Sequence, residues 1–146
     1  GIDFDQDKIE IANNVSYADH RTQFYNANLK DYEPLNSDVF IVNDVLHYLK
    51  KGTRNELLKK VYCKLNIEGM IIIRDGDQSL QKKHKITKLS EVFSTGIGFN
   101  KASYSDLEFL DRAEIINIGH ELGATVEIID DTQFTSNIIY ILKNEA

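Results

Sequence analysis

The chain has 146 residues, 42% hydrophobic and 27% charged, which gives enough apolar content for one core and too little length for two ordinary domains. Its 17 basic and 23 acidic residues leave a formal charge of −6, which argues against a nucleic-acid partner because such binding needs a basic face. No apolar run approaches the roughly 20 residues of a membrane span, and the single cysteine, Cys63, cannot form an internal disulfide. These features favour one cytoplasmic domain over residues 1–146.

The first segment predicts the end of a strand followed by a helix. Gly1–Asp5 has no initiator methionine, basic region or long apolar stretch, so it is not a signal peptide and is typical of the interior of a larger protein. Asp5 or Gln6 can open the helix, and a weaker strand is expected around Gln23–Asn26. The inward positions of the helix are predicted to be Ile9, Ala12 and Val15.

Two short apolar runs predict central parallel strands. Val39–Val42 and Met70–Ile73 are apolar at every position, as expected for strands that helices cover on both faces. Between them, Thr53 and Glu56 have the spacing of a capping box, which predicts that a helix begins there and makes this a βαβ unit. The buried side of this helix is predicted to comprise Leu57, Leu58, Val61, Tyr62 and Leu65, with Cys63 as an inert thiol.

The last third of the chain predicts a helix and then a hairpin. Asp111 marks the start of the helix and Gly123 a left-handed stop. Strands are expected at Val126–Ile129 and Ile138–Leu142, and the loop between them is too short for a parallel crossover, so the pair should be antiparallel. Residues 76–105 have the least regular pattern and are interpreted as a lid or an insertion.

Taken in order, these segments resemble the class I S-adenosylmethionine-dependent methyltransferases over nearly the whole chain. Gly1–Asp5 resembles the second strand of that family, and Asp38–Leu49 resembles its fourth strand and the turn after it. Leu65–Ile73 and Leu122–Val126 resemble the entries to its fifth and sixth strands. The resemblance implies an α/β fold with a Rossmann-like class I methyltransferase sheet, mostly parallel with a C-terminal antiparallel hairpin, and S-adenosyl-L-methionine as cofactor.

The resemblance also implies a set of cofactor-binding residues. Asp3 would hold the two ribose hydroxyls, since a carboxylate has lone pairs for both and ligands of open α/β sheets bind outside strand ends. Asn28 would accept from the adenine amino group, with the Leu29 amide facing the ring and Phe4 packing beside the nucleoside. Asn43 would lie along the methionine part. Each residue also has a structural alternative. Asp3 could cap the helix, Asn28 could be an ordinary loop residue, Phe4 could pack in the core, and Asn43 could simply end its strand.

The acceptor side of the site is predicted by position. His47 and Tyr48 follow the strand that ends at Asn43, and either could face a methyl acceptor as a catalytic residue; the alternatives are a helix-start histidine and a packing aromatic. Methyl transfer from a sulfonium depends mainly on alignment, and a base is needed only for some acceptors. Asp75 and His84 are the substrate-side candidates, and no metal site is expected.

One family element is missing from the printed sequence. A glycine-rich loop after the first strand would precede Gly1, and Gly96 and Gly98 lie too far downstream to replace it. We therefore expect a methyltransferase domain truncated before its second strand, which binds cofactor weakly or not at all. Its amino-terminal third should be displaced, poorly packed, or completed by strand exchange in a homo-oligomer.

The acceptor is expected to be a small molecule. The pattern also resembles the carboxyl-terminal methyltransferase region of large membrane exporter and acyltransferase fusion chains, which suggests a lipid-like or aryl acceptor and a membrane-associated parent. Two alternatives remain open: a noncatalytic methyltransferase-like interaction domain, and a dinucleotide-binding Rossmann enzyme, against which the terminal hairpin counts.

Overall fold

The computed structural model describes residues 1–15, 21–77, 108–130 and 137–145. The chain divides into two compact units, residues 1–34 and residues 35–146. No helix within the described residues is both long and apolar enough to span a membrane. In chain order the elements are β1 (Ile2–Asp3), α1 (Gln6–Asn14), β2 (Tyr25–Asn26), β3 (Ser37–Asn43), a 3₁₀ turn (Leu46–Tyr48), α2 (Lys51–Tyr62), β4 (Leu65–Gly76), α3 (Arg112–Leu122), β5 (Thr125–Ile129) and β6 (Asn137–Lys143).

The first unit is a parallel strand pair with one helix. β1 pairs with β2 in the register that places Asp3 opposite Asn26. The Asp5 side chain caps α1 by accepting a hydrogen bond from the Asp7 amide at 3.1 Å, and Ile9 is buried, as predicted. The inward prediction for Val15 is wrong, because α1 ends at Asn14 and Val15 is extended and exposed.

The second unit contains a mixed four-stranded sheet in the order β3-β4-β6-β5. β3 and β4 are parallel, which confirms the βαβ unit, while β6 runs antiparallel to both β4 and β5, which confirms the hairpin. β6 lies between β4 and β5, so the chain returns into the sheet instead of extending its edge.

One face of this sheet carries the core. α2 packs against β4 and α3 against β5, and the buried set comprises Leu58, Ile71, Ile73, Ile115, Ile118, Ile138, Tyr140 and Leu142. On the opposite face of β3, Val39 and Ile41 are 44% and 70% exposed. The prediction that this strand is central and covered on both faces is wrong for the described residues, where β3 pairs with β4 alone.

The two larger helices differ in how far local sequence sets their ends. α3 begins and ends as predicted: the Asp111 carboxylate accepts from the Ala113 amide at 2.9 Å, and Gly123 has a φ of 72°. α2 begins at Lys51 and its N-cap residue makes no side-chain bond, so the capping box at Thr53 is wrong. A carboxylate from Glu108 accepts from the Lys51 amide instead, at 3.2 Å.

Candidate functional site

Asp3 ends β1 with its carboxylate held in one orientation. Its Oδ1 accepts a hydrogen bond from the Asp5 amide at 2.8 Å, in a turn that leads into α1. Within the described residues its Oδ2 has no hydrogen-bond partner, and the side chain is half-buried. The residue predicted to hold the ribose thus keeps one oriented acceptor oxygen at a strand end.

The other cofactor-side predictions of this unit follow the two strand ends. Asn28 comes after β2, so it lies at the same edge as Asp3 because the two strands are parallel. Its Oδ1 accepts from the Lys30 amide at 3.1 Å, which fixes the side chain but leaves one lone pair on that oxygen. Leu29 is half-buried, and Phe4 is 58% exposed and so does not pack in a core.

At the carboxyl end of β3, Asn43 opens a polar cluster. Asn43 is exposed, pairs in register with Arg74 of β4, and donates from Nδ2 to Asp44 Oδ2 at 3.2 Å. Asp44 also forms an ion pair with Arg74 and accepts from Asn137 Nδ2 at 3.3 Å. Its backbone has a φ of 50°, in the left-handed region that only a few residue types tolerate.

Burial raises the pKa of Asp44 above its ordinary value. The neighbouring charge of Asp75 acts in the same direction, while Arg74 and His47 act against it. Burial is the largest cause of the raised pKa of Asp44, and the Arg74 guanidinium is the largest charge that opposes it.

His47 and Asp75 form a buried pair behind this cluster. His47 Nδ1 lies 2.5 Å from Asp75 Oδ1, and the two residues are 3% and 0% exposed. Asp75 also accepts from the amides of Leu46 at 2.8 Å, His47 at 3.3 Å and Gly76 at 2.7 Å. An ionised carboxylate only accepts hydrogen bonds, so the proton of the shared bond is carried by Nδ1 of the imidazole.

Aromatic rings and backbone bonds fix His47 from other directions. Phe109 stacks on the imidazole with ring centroids 5.8 Å apart, and the half-buried Tyr48 lies 4.1 Å away. The Glu108 amide donates to the His47 carbonyl at 2.9 Å. His47 is therefore anchored through its ring and its main chain.

Asp77, directly after β4, belongs to a second hydrogen-bond network. Tyr140 donates its hydroxyl to Asp77 Oδ2 at 3.2 Å, and Arg112 Nε lies 3.6 Å from the same oxygen. Burial and the Asp77 charge raise the Tyr140 pKa. Within the part of the chain that the structure describes, no group of three or more His, Cys, Asp or Glu side chains could hold a metal.

The predicted site residues thus fall into two groups. Asp3, Phe4, Asn28 and Leu29 lie at the carboxyl edge of the first unit, and Asn43, His47, Tyr48 and Asp75 at that of the second. His84 lies outside the described residues. Sequence reasoning missed Asp44, Arg74 and Phe109; the signal for Arg74 was a charge directly after the four apolar residues of Met70–Ile73.

Comparison with curated proteins finds relatives but no matching family model. The chain is 27% identical over 118 residues to a carboxy-S-adenosyl-L-methionine synthase of Campylobacter lari, an alignment covering 80% of this chain and 49% of that protein. It is 30% identical over 76 residues to the enzyme of the same name from Campylobacter jejuni, covering 51% and 32%. The chain therefore spans about half or less of the curated relatives it matches.

Solved structures match nearly the whole chain. The N-methyltransferase NodS from Bradyrhizobium japonicum has a TM-score of 0.69 at 10% identity, with 99% of this chain and 72% of that one covered. The fold is that of the methyltransferases. Magnesium protoporphyrin IX methyltransferase from Synechocystis, solved with S-adenosylhomocysteine, gives a TM-score of 0.64 at 15% identity over 99% of this chain and 63% of that one.

Proposed function

We propose that the full-length parent protein binds S-adenosyl-L-methionine and transfers its methyl group to a small-molecule acceptor, and that the chain of residues 1–146 taken alone binds the cofactor weakly or not at all. The observation that carries the proposal is Asp3: at the end of a parallel strand in a methyltransferase fold, one carboxylate oxygen is fixed by the Asp5 amide. The other has no partner in the described residues. Such a carboxylate suits a vicinal diol, because it can accept from both hydroxyls with little loss of side-chain freedom.

The remaining cofactor contacts are proposed on position. Phe4 offers an exposed aromatic face next to Asp3 for the nucleoside. Asn28, on the parallel neighbouring strand, would accept from the adenine amino group, and the Leu29 amide would donate to the ring. Asn43, exposed at the end of β3, would lie along the methionine part.

On the acceptor side, His47 is proposed as the base for an acceptor that must lose a proton, with Tyr48 beside it. Asp75 is fully buried and bonded to Nδ1, so it would act through His47 as a positioning residue. It would hold the tautomer in which Nε2 receives the proton. His84 stays a substrate-side proposal, and a lipid-like or aryl molecule stays the proposed acceptor.

A second candidate function follows from the curated relatives. Their name is carboxy-S-adenosyl-L-methionine synthase, which describes an enzyme whose product is a modified cofactor and not a methylated acceptor. Both candidates require binding of an S-adenosyl sulfonium and differ in the nucleoside that leaves the enzyme.

Calorimetric titration of the full-length protein with S-adenosyl-L-methionine tests the shared step. Asp3→Asn keeps an oxygen for the Asp5 amide but loses the charge and replaces an acceptor with a donor, so we expect binding to weaken at least tenfold. Asp38→Asn, at the opposite end of β3, is the matched control and should bind normally. Equal binding by both variants, or none by the unaltered protein, contradicts the proposal.

Mass spectrometry of the nucleoside product separates the two chemistries. Methyl transfer yields S-adenosylhomocysteine together with a methylated acceptor, whereas the activity named for the relatives needs a carboxyl donor and yields the carboxylated nucleoside.

A further inference from the structure

Arg74 is a half-exposed cation at the end of the sheet where the proposed site lies. It follows the apolar residues Met70–Ile73 on β4 and pairs in register with Asn43 on one side and Ile139 on the other. Its side chain is 40% exposed. Because Arg74 and Asn43 are register partners on neighbouring strands, their side chains point to the same face of the sheet.

The guanidinium has donors to spare. Nη1 forms the ion pair with Asp44, and within the described residues Nε and Nη2 have no hydrogen-bond partner. The side-chain amides of Asn43 and Asn137 also donate hydrogen bonds to Asp44, so the ion pair is part of a larger hydrogen-bonded cluster. The pair thus orients Arg74 and leaves one side of its planar fork available.

We propose that Arg74 binds the carboxylate of a ligand at this edge of the sheet, which is either the methionine carboxylate of S-adenosyl-L-methionine or a carboxylate on the acceptor. This rests on the proposed function and deepens it. A guanidinium fork matches a carboxylate with two parallel bonds, and a partly desolvated arginine gains more from such a bond than a fully solvated one.

A purely structural role explains these observations less well. An ion pair whose members are 40% and 39% exposed adds little to stability because water screens it. Asp44 also receives two amide donors, so Arg74 is not its sole hydrogen-bond donor among the described residues. The ion pair uses Nη1, and a ligand carboxylate would give Nε and Nη2 a partner as well.

The first arm of the test addresses the cofactor. Full-length protein is titrated with S-adenosylhomocysteine, which has the methionine carboxylate, and with 5′-methylthioadenosine, which lacks it. If Arg74 binds that carboxylate, Arg74→Gln lowers the affinity for S-adenosylhomocysteine at least tenfold and leaves the affinity for 5′-methylthioadenosine unchanged. Arg74→Lys keeps the charge but not the two-pronged donor geometry, so its affinity for S-adenosylhomocysteine should lie between those of the unaltered protein and Arg74→Gln.

The second arm addresses the acceptor, with benzoate and the neutral benzamide as probes in an NMR titration, with and without S-adenosylhomocysteine. If Arg74 binds an acceptor carboxylate, the unaltered protein prefers benzoate and Arg74→Gln abolishes the preference. Arg112→Gln is the matched control in both arms, since Arg112 is 39% exposed but shared between Asp77 and Asp130. Melting curves confirm that each variant is folded.

The outcomes separate the two proposals. Failure of the unaltered protein to bind S-adenosylhomocysteine contradicts the proposed function. Normal binding with no effect of Arg74→Gln in either arm, or the same effect for Arg112→Gln, overturns the assignment of Arg74 and leaves the proposed function standing.

Discussion

His47 and Asp75 are joined between imidazole Nδ1 and carboxylate Oδ1 at 2.5 Å, across 28 positions of sequence. The same carboxylate accepts from the amides of Leu46 and His47, so it holds the 3₁₀ turn after β3 to the end of β4. Two neighbouring strand ends are therefore connected by a single buried charge, and the turn that bears the proposed base depends on it.

Replacing Asp75 should be costly to stability. In Asp75→Asn one acceptor oxygen becomes an NH₂ group that faces donors, so buried amides lose partners; we expect the free energy of unfolding to fall by about 2–4 kcal/mol. Urea denaturation measures it, with Asp38→Asn as an exposed control that should change little. A loss for Asp75→Asn no larger than that of the control would show that the carboxylate does not hold the turn.

Asp44 predicts a pH dependence with a definite sign. Because its pKa is raised in the folded protein, the native state binds a proton more readily than the unfolded chain, and the ionised form at neutral pH costs stability. Asp44→Asn removes this cost and keeps a residue type that tolerates the φ of 50°. It should be at least as stable as the unaltered protein at pH 7, with the advantage lost as the pH falls through the raised pKa.

Asp44→Ala serves as the companion variant. It also removes the charge, but alanine in the left-handed region costs about 1 kcal/mol, so this variant should be less stable than Asp44→Asn at every pH. Unfolding curves at pH 7 and at acid pH test the order, and a more stable alanine variant would contradict it.

Glu108 is expected to support the start of α2 from a distance. Its Oε2 accepts from the Lys51 amide and from Nη2 of the buried Arg54, at 3.2 and 3.1 Å. Glu108→Ala removes the cap and leaves the guanidinium with the more distant Glu114, 3.8 Å away, so we expect a loss of about 2–3 kcal/mol. Hydrogen exchange should show faster exchange in the first turn of α2; Glu56→Gln, exposed on the same helix, should leave it unchanged.

Three glycines predict three different outcomes on substitution by alanine. Gly52 lies in α2 with open space around it, so Gly52→Ala should stabilise by about 0.5–1 kcal/mol. Gly123 also has open space but a φ of 72°, so its substitution should cost about 1 kcal/mol. At Gly119 a Cβ would overlap the Val126 side chain, so Gly119→Ala should be the most destabilising. Thermal melting of the set tests this ranking.

The parts of the fold that local chemistry encodes were predictable from sequence. Asp111 and Gly123 each act on residues within a few positions, so the ends of α3 could be predicted from the residues alone. The start of α2 could not, because its capping carboxylate comes from Glu108, 57 positions away from Lys51. The composition of a strand also does not show whether it lies at the edge of a sheet. Val39–Val42 is apolar throughout, yet β3 pairs with one described strand.

The residues of the candidate site also differ in how far local sequence predicts them. Asp3 and Asn43 are the polar ends of recognisable strands, and their placement followed from the order of elements. The contacts of Asp75 with the turn at Leu46 join two segments whose proximity depends on the parallel pairing of β3 and β4. The residue spacing within a single segment therefore could not predict that Asp75 contacts this turn.

Asp77 and Leu110 form a parallel bridge, and the Leu110 amide donates to the Gly76 carbonyl at 3.2 Å. The chain thus leaves the sheet and returns to it at two adjacent anchor points. Main-chain groups make both contacts, so exchanging the neighbouring side chains leaves the end of β4 tied to the residues that lead into α3.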